Sequence, residues 1–313
     1  MKTVKLTFNY DFPVMRQTQD SKGRWGDYQF IIDPDLKACD YWVVYTAHDM
    51  VAEQCYCDKN NIFFIPGEGY ETSARFSSDF LKQFGKIITV QRQLKGNNIT
   101  YFQNANPWFI EKSYNDLLNL NIPEKTKLIS IISSDKDFTE GHRNRQRFTK
   151  RLKEHFGEGL DFFGRGINSF DNKWDVTAPY KYQIAIENDF TDDWVTEKFF
   201  DPILTYTYPF YYGCPNLKKY MPDSSFQRID INDPEGSIRI IENAIRNNVF
   251  DRYIEKANAC RDLALNHHQL FPMLVSFFEQ NKNTPAPSNI TIRPSGNEKE
   301  HLFGRLKRKI FKA

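Results

Sequence analysis

The most informative segment of the sequence is IENDFTDDWVTEKFFDPILTYTYPFYYG, residues 186–213. An apolar strand over 182–186 runs into it, and a helix is predicted over about 195–204. A second apolar strand follows at 208–212. Strand, helix and strand in this order predict a parallel α/β unit, whose ligands bind at the carboxyl ends of the strands.

Polar side chains follow the first of these strands. Glu187 and Asn188 lie at its carboxyl end, and residues 191–193 (Thr-Asp-Asp) are competent N-caps for the helix. A helix N-terminus attracts anions, Lys198 adds a full positive charge, and Glu197 can accept hydrogen bonds from hydroxyls. This arrangement suits a phosphorylated, hydroxyl-rich ligand, although the local chemistry alone favours an ordinary capped helix with an exposed Glu-Lys pair.

The same alternation extends over most of the chain and predicts two doubly wound units, one Rossmann-like domain over 1–115 and another over 127–266. A C-terminal helix over 267–282 is expected to follow, and 283–313 to form a linker and tail. The Pro-, Asn-, Ser- and Thr-rich interval 281–297 has the composition of a disordered linker. The remaining predicted strands are 4–8, 41–45, 62–65, 86–90, 128–132 and 160–163, and the remaining helices are 77–84, 144–155 and 236–247.

Composition excludes several classes of protein. The 313 residues carry 42 basic and 40 acidic side chains, a net charge of +2, which argues against a nucleic-acid binder. The five cysteines include no CxxC pair, as expected for a reduced, cytoplasmic protein. The first ten residues lack the apolar core of a signal peptide, and no window approaches the ~18 apolar residues of a membrane span.

The C-terminal segment 301–312, HLFGRLKRKIFK, combines basic and apolar residues. On a helix, Leu302, Phe303, Leu306, Ile310 and Phe311 share one side, which is the pattern of an interfacial anchor on anionic lipid. We therefore expect a cytoplasmic protein that associates peripherally with the inner membrane. An unstructured basic tail is the alternative.

The long pattern over 186–213 resembles the signature of the α-1,3/4-fucosyltransferases, glycosyltransferase family ten, of the bacterial type. The shared features are a strand ending in Glu-Asn, an aromatic residue before Val-Thr-Glu-Lys, and a Pro and a Gly at the family's spacing. The resemblance extends over about 128–266 and is weak before that. It implies a GT-B-like fold, two Rossmann-like domains with parallel sheets facing across a cleft. It also implies inverting transfer of fucose, or a related deoxysugar, from a GDP-sugar to a glycan or glycolipid, with no essential metal.

The resemblance also implies roles for particular residues. Glu197 would hold sugar or ribose hydroxyls, Lys198 would pair with the diphosphate, and Asn188 would line the donor pocket. Trp194 stands where the family usually has tyrosine, so a phenolic hydroxyl is lost there. Pro202 also departs from the pattern and should kink or end the helix. The donor-binding set is completed by Glu187 and Thr196.

An arginine is expected to neutralise the leaving diphosphate. The run RNRQRF, residues 143–148, follows the 128–132 strand, where the family keeps such an arginine. Arg145 fits the spacing best and Arg143 second, whereas Arg147 is expected on a solvated helix face. A guanidinium can bind a diphosphate with two hydrogen bonds and without a metal.

The acceptor hydroxyl needs a base. Glu68 follows the 62–65 strand in a Pro-Gly-Glu-Gly turn and resembles the family's base position, with Glu71 as the fallback. One-step inversion requires a carboxylate on the face opposite the leaving group. An ordinary turn glutamate is the alternative interpretation of Glu68.

Two other functions remain open at the level of sequence. A metal-dependent transferase of UDP-sugars would carry Asp-x-Asp after a strand, and both Asp33-Pro-Asp35 and Asp135-Lys-Asp137 have that form. A relative that binds a glycan or nucleotide without turnover is the second alternative. Retention of the predicted base and donor residues favours an enzyme over such a binding protein.

Overall fold

The computed structural model describes residues 1–46, 50–67, 76–105, 107–133, 140–164, 166, 168–281 and 284–295. The strands in these ranges are β1 (Lys2–Phe8), β2 (Arg24–Trp25), β3 (Tyr28–Ile31), β4 (Tyr41–Tyr45), β5 (Glu53–Cys57), β6 (Ile62–Ile65), β7 (Lys86–Thr89), β8 (Ile99–Tyr101), β9 (Lys127–Ile132), β10 (Asp161–Phe163), β11 (Tyr180–Ile186), β12 (Tyr208–Tyr212), β13 (Gln227–Arg228) and β14 (Ser288–Ile292). The α-helices there are α1 (Ser78–Leu81), α2 (Tyr114–Leu118), α3 (Glu140–Phe156), α4 (Glu197–Leu204), α5 (Pro234–Arg246), α6 (Val249–Ile254), α7 (Ala257–Leu263) and α8 (Leu270–Gln280).

The first sheet has the strand order β2-β3-β1-β4-β6-β7-β8, and its pairs are parallel except β2 with β3. Its central strands β4 (YWVVY) and β6 (IFFI) are buried along their whole length. Continuous apolar strands of this kind are typical of parallel sheets covered on both faces. This is why β4 and β6 could be predicted from the sequence with their correct bounds.

The second sheet has the order β10-β9-β11-β12-β13 and is parallel throughout. Because its strands point the same way, the carboxyl ends of β9, β11 and β12 meet at one edge. Helix α3 lies between β9 and β10 in the chain, and α4 lies between β11 and β12. The two sheets confirm the predicted α/β class.

The start of α4 differs from the prediction. The helix begins at Glu197 with Thr196 as its N-cap, so the expected caps at 191–193 were wrong. Pro202 lies inside α4, and the helix ends two residues later at Leu204. Proline removes one helical hydrogen bond, and the early end of α4 agrees with that expectation.

The C-terminal part of the described chain returns to the first sheet. The Phe278 ring of α8 stacks on Tyr41 of β4, with 4.2 Å between ring centroids, and Tyr28 donates a hydrogen bond to Glu279 at 2.9 Å. Strand β14 pairs antiparallel with β5. The disordered linker expected over 281–297 was therefore wrong for 288–292, because the edge of β5 offers backbone partners and Ile292 is fully buried. Among the described residues, no helix combines the length and apolar character needed to cross a membrane.

Candidate active site

The predicted donor residues gather at the carboxyl edge of the second sheet. Glu187 and Asn188 follow β11, and α3 brings Arg145 to the same place. The Arg145 side chain is buried, with 5% of the residue exposed, and its guanidinium donates a hydrogen bond to the Asn188 amide oxygen. The strand end and the helix after β9 are thus joined by two residues that the sequence had assigned to the donor pocket.

Glu187 fixes the start of α4. Its carboxylate accepts hydrogen bonds from the Thr196 backbone N–H at 2.9 Å and from the Thr196 hydroxyl at 2.7 Å. The Tyr211 hydroxyl donates a third at 3.3 Å. Burial raises the pKa of Glu187 to about 7, although the positive charge of Lys198 and the Thr196 hydrogen bonds oppose the shift. Glu187 therefore acts through Thr196, positioning the helix start.

Gly213 makes room for this arrangement. A Cβ atom at Gly213 would lie 2.4 Å from the Glu187 Cγ and 2.6 Å from the Tyr211 hydroxyl, and the backbone has a φ of +157°. The Glu187 N–H also donates to the Tyr212 carbonyl at 2.8 Å. Glycine at this point of the PFYYG sequence follows from the close packing of β12 against Glu187.

The first two residues of α4 form a charged pair at the edge of the site. The Lys198 ammonium lies 2.8 Å from a Glu197 carboxylate oxygen and 3.9 Å from a Glu187 oxygen. Burial alone would raise the pKa of Glu197, but the charges of Lys198 and Lys173 outweigh it and lower the pKa to about 2. Both side chains stay partly exposed, so an ionised carboxylate and an ammonium are available to a ligand.

Trp194 lies in the loop before α4 and is 5% exposed. Its indole N–H is buried and has no hydrogen-bond partner among the described residues. A buried donor without an acceptor is costly, so such groups often mark places where a ligand or a water binds. Trp194 therefore offers one hydrogen-bond donor at this position.

The other predicted residues fall elsewhere. Arg143 is exposed on α3, two positions from Arg145 and hence on a different side of the helix. Arg147 is exposed, as predicted, and bonds to Asn144. Asp33 and Asp35 are exposed, and Asp33 accepts a hydrogen bond from the Asp35 N–H, as in an ordinary turn. The candidate base Glu68, its fallback Glu71, the second Asp-x-Asp triplet at 135–137 and the tail over 301–312 lie outside the described residues.

Two residues that the sequence analysis had not assigned to the donor site flank the donor segment. Asp193 and Asp201 are almost completely buried, one on either side of the predicted Glu197 and Lys198. Asp201 accepts hydrogen bonds from the Phe109 N–H at 3.2 and 3.3 Å, and Lys173 lies 2.6 Å from it. Its position inside the apolar sequence FFDPIL was the signal that could have identified it, because carboxylates in buried helices are rare without a partner.

Two surface grooves, of about 630 Å³ and 670 Å³, are lined in part by residues of the segment 118–123. Neither groove is lined by a predicted donor residue. The described ranges also contain no cluster of three or more His, Cys, Asp or Glu side chains able to hold a metal ion.

Two parallel sheets, with the charged residues at the carboxyl edge of the second, give the chain the arrangement of a GT-B fold. A crystal structure of an α1,3-fucosyltransferase aligns with 90% of this chain and 91% of that chain, with a TM-score of 0.53 and 15% sequence identity. At that identity the match establishes the fold, and the predicted GT-B architecture is confirmed.

Sequence comparison shows which proteins the chain resembles. Residues 122–242 match the family model described as "Glycosyltransferase family 10 (fucosyltransferase) C-term". The α-(1,3)-fucosyltransferase B of Drosophila melanogaster is 36% identical over 262 residues, which cover 76% of this chain and 56% of that protein. The GDP-fucose protein O-fucosyltransferase 3 of Danio rerio is 39% identical over 95 residues, 26% of this chain and 20% of that protein. The chain thus spans about half the length of the first relative and about a fifth of the length of the second. The resemblance predicted from the sequence is confirmed.

Proposed function

We propose that this protein transfers fucose, or a closely related deoxysugar, from a GDP-sugar to a hydroxyl of a glycan acceptor. The observation that carries the proposal is the convergence of Arg145, Asn188, Glu197 and Lys198 at one sheet edge, within the segment that matches the family model. A solved α1,3-fucosyltransferase of the same fold is described in complex with GDP and with GDP-fucose, which supports a guanine nucleotide as the donor.

The chemistry of sugar transfer accounts for these residue types. The acceptor hydroxyl oxygen forms a bond to the anomeric carbon, the bond from that carbon to the β-phosphate oxygen breaks, and GDP leaves. Negative charge grows on the diphosphate, where the guanidinium of Arg145 and the ammonium of Lys198 would stabilise it electrostatically. The acceptor proton passes to a carboxylate, which we assign to Glu68, and the anomeric configuration inverts.

We further propose that no metal ion is essential and that the acceptor is a surface polysaccharide or a lipid-linked precursor, such as one of lipopolysaccharide. The basic, amphipathic segment 301–312 would hold the protein on an anionic membrane surface. Sedimentation with vesicles of neutral lipid, with and without anionic lipid, tests this part. Equal binding of the full chain and of a chain lacking 301–313 would refute it.

The donor is tested by thermal stabilisation with GDP, UDP, CMP and dTDP, each in Mg²⁺ and in EDTA. A ligand that binds only the folded state raises the melting temperature by mass action. We expect GDP alone to stabilise, equally with Mg²⁺ and EDTA. Stabilisation by UDP only in the presence of metal would replace this proposal with the Asp-x-Asp mechanism. Nucleotide binding without sugar transfer or donor hydrolysis would indicate the non-catalytic relative.

The base is tested by Glu68→Gln, with Glu71→Gln as the matched control. General-base catalysis contributes about 10²–10⁴-fold, so Glu68→Gln should lower the transfer rate by about that factor and leave GDP affinity unchanged. Full activity of Glu68→Gln together with loss in Glu71→Gln would move the base to Glu71.

A further inference from the structure

Asp193 is a buried carboxylate immediately before the donor segment. It is 1% exposed, and its backbone adopts a φ of +66°. Three of its partners come from the same domain: Asn216 Nδ2 at 3.0 Å, Lys219 Nζ at 2.9 Å and the Tyr220 hydroxyl. Its N–H also donates to the Asn216 amide oxygen at 2.8 Å. These contacts fix the loop that leads into Trp194 and α4.

The fourth partner of Asp193 comes from the first domain. The Arg92 guanidinium, which follows β7, donates a hydrogen bond to the Asp193 carboxylate and forms an ion pair with it. Arg92 also lies over the Tyr101 ring of β8, 4.5 Å from the ring centroid, and the Tyr101 hydroxyl donates to the Leu94 carbonyl at 2.6 Å. The guanidinium is therefore attached to the first sheet and moves with it.

A second contact between the domains lies on the other side of Glu197. Asp201, four residues further along α4, is fully buried and accepts hydrogen bonds from the Phe109 N–H of the first domain. Asp193 lies four residues before Glu197. The segment that carries Glu197 and Lys198 is thus held by the first domain at both of its ends.

We propose that Arg92 and Asp193 are positioning residues that couple the placement of the first domain to the geometry of Trp194, Thr196 and Lys198. The catalytic part of this inference rests on the proposed function. In that case Trp194, Thr196 and Lys198 would complete the donor site only when the two domains are in contact. Separation of the domains removes Arg92 from Asp193, while Lys219 and Tyr220 remain. The donor loop is then loosened but not unfolded.

The chain offers a matched control for this coupling. Arg92 and Lys219 both pair with the Asp193 carboxylate, and their side chains are similarly exposed, at 38% and 43%. Only Arg92 belongs to the first domain, although the Lys219 ammonium also lies 4.9 Å from the centroid of the Phe102 ring. Removal of either residue takes one positive charge from Asp193, but only Arg92→Ala breaks the hydrogen bond from the first domain to Asp193, so a larger effect of Arg92→Ala reports that contact and not the charge.

The experiment compares Arg92→Ala, Lys219→Ala and the conservative Arg92→Lys in the full chain. The first readout is amide hydrogen exchange without nucleotide at Thr196 and Lys198, whose N–H groups donate to Glu187 and to the Thr196 hydroxyl. The second is the donor KM and kcat. We expect Arg92→Ala to speed exchange and to raise the donor KM about fivefold or more, the lower end of typical coupling between sites. Arg92→Lys should restore most of both, and Lys219→Ala should change both much less than Arg92→Ala does.

Equal effects of Arg92→Ala and Lys219→Ala would overturn the proposal. The Asp193 carboxylate would then require a neighbouring positive charge, whichever domain supplies it. A lower melting temperature for Arg92→Ala with unchanged exchange and KM would also overturn it, because Arg92 would then be purely structural. If Arg92→Ala does not fold, Arg92→Lys and Arg92→Gln provide the same comparison. The exchange experiment uses no nucleotide, so it tests the coupling between Arg92 and the donor loop independently of GDP binding. If the wild-type protein did not bind GDP, the proposed function would be refuted, but the exchange rates would still show whether the coupling exists.

Discussion

The Glu187 carboxylate accepts two hydrogen bonds from Thr196, one from its backbone N–H at 2.9 Å and one from its hydroxyl at 2.7 Å. The same hydroxyl accepts the Lys198 N–H at 3.3 Å as the N-cap of α4. A buried acidic residue thereby sets where the helix begins, and hence where Glu197 and Lys198 present their charges. Protonation of Glu187 should therefore change the free energy of unfolding, which can be measured as a function of pH.

Substitution Glu187→Gln should flatten the dependence of stability on pH. The pKa of Glu187 is raised from 4.5 to about 7. Between these values the folded protein retains a proton that the unfolded chain has lost, so the free energy of unfolding falls as pH rises from about 5 to 7. The contribution is on the order of 3 kcal/mol, from 1.36 kcal/mol per pKa unit. It is measured by urea unfolding of both proteins at pH 5 and pH 8.

Exposed Glu158 supplies the control for that measurement, since Glu158→Gln should leave the pH dependence of the wild-type protein intact. Parallel pH profiles for wild-type and Glu187→Gln would show that Glu187 does not titrate in this range.

Substitution Gly213→Ala should destabilise the protein and weaken the donor site together. The added Cβ would lie 2.4 Å from the Glu187 Cγ, so β12 or Glu187 must shift. Overpacking of this kind costs about 1–3 kcal/mol. Gly159→Ala is the control, because no atom lies within 4 Å of the Cβ that it would add. Thermal unfolding and GDP titration check the prediction, and equal melting temperatures for the two variants would contradict it.

Substitution Lys198→Ala should reduce GDP affinity with little loss of stability. Lys198 is partly exposed, and its ammonium is placed by Glu197 at 2.8 Å. A charge-assisted hydrogen bond contributes about 1.5–3 kcal/mol, so the dissociation constant should rise roughly 10- to 100-fold. Calorimetric titration with GDP measures this change. Lys150→Ala, an exposed lysine on α3, should bind GDP like the wild-type protein, and unchanged affinity in Lys198→Ala would remove this residue from the donor site.

Local sequence determined the sheets well because their central strands are continuous apolar runs. Tyr41–Tyr45 and Ile62–Ile65 were predicted with the bounds that the structure has. The start of α4 was missed because Thr196 is selected as the cap by Glu187, nine residues earlier in the chain. Strand β14 was also missed because its partner is distant in the sequence. It pairs with β5, which lies more than 200 residues earlier in the chain.

In the candidate site, too, contacts within one α/β unit could be predicted and contacts between distant segments could not. Arg145, Asn188, Glu197 and Lys198 belong to one α/β unit, so a pattern within 143–198 was enough to group them. The contact between Arg92 and Asp193 joins two domains, and no local pattern predicts which arginine reaches which carboxylate. Asp193 was noticed only as a possible helix cap, a role that the structure gives to Thr196.

Two tryptophans provide the last prediction, because one indole N–H has a protein acceptor and the other has none among the described residues. Trp108 donates to the Lys112 carbonyl at 2.8 Å, whereas the buried Trp194 N–H lacks a partner there. Trp108→Phe and Trp194→Phe remove the same volume, but only Trp108→Phe breaks a hydrogen bond within the protein. Trp108→Phe should therefore lose about 1 kcal/mol more of the free energy of unfolding.

For donor affinity we expect the opposite ranking of the two variants, with the larger loss in Trp194→Phe. If the Trp194 N–H binds the GDP-sugar in place of the family's tyrosine hydroxyl, Trp194→Phe raises the dissociation constant for GDP-fucose about 10-fold, the effect of one lost hydrogen bond in a closed site. Trp108→Phe should leave it unchanged. Urea unfolding and fluorescence titration of both variants measure the two quantities. Wild-type affinity in Trp194→Phe would assign the unpartnered N–H to an ordered water, and the tryptophan would then serve the loop by packing alone.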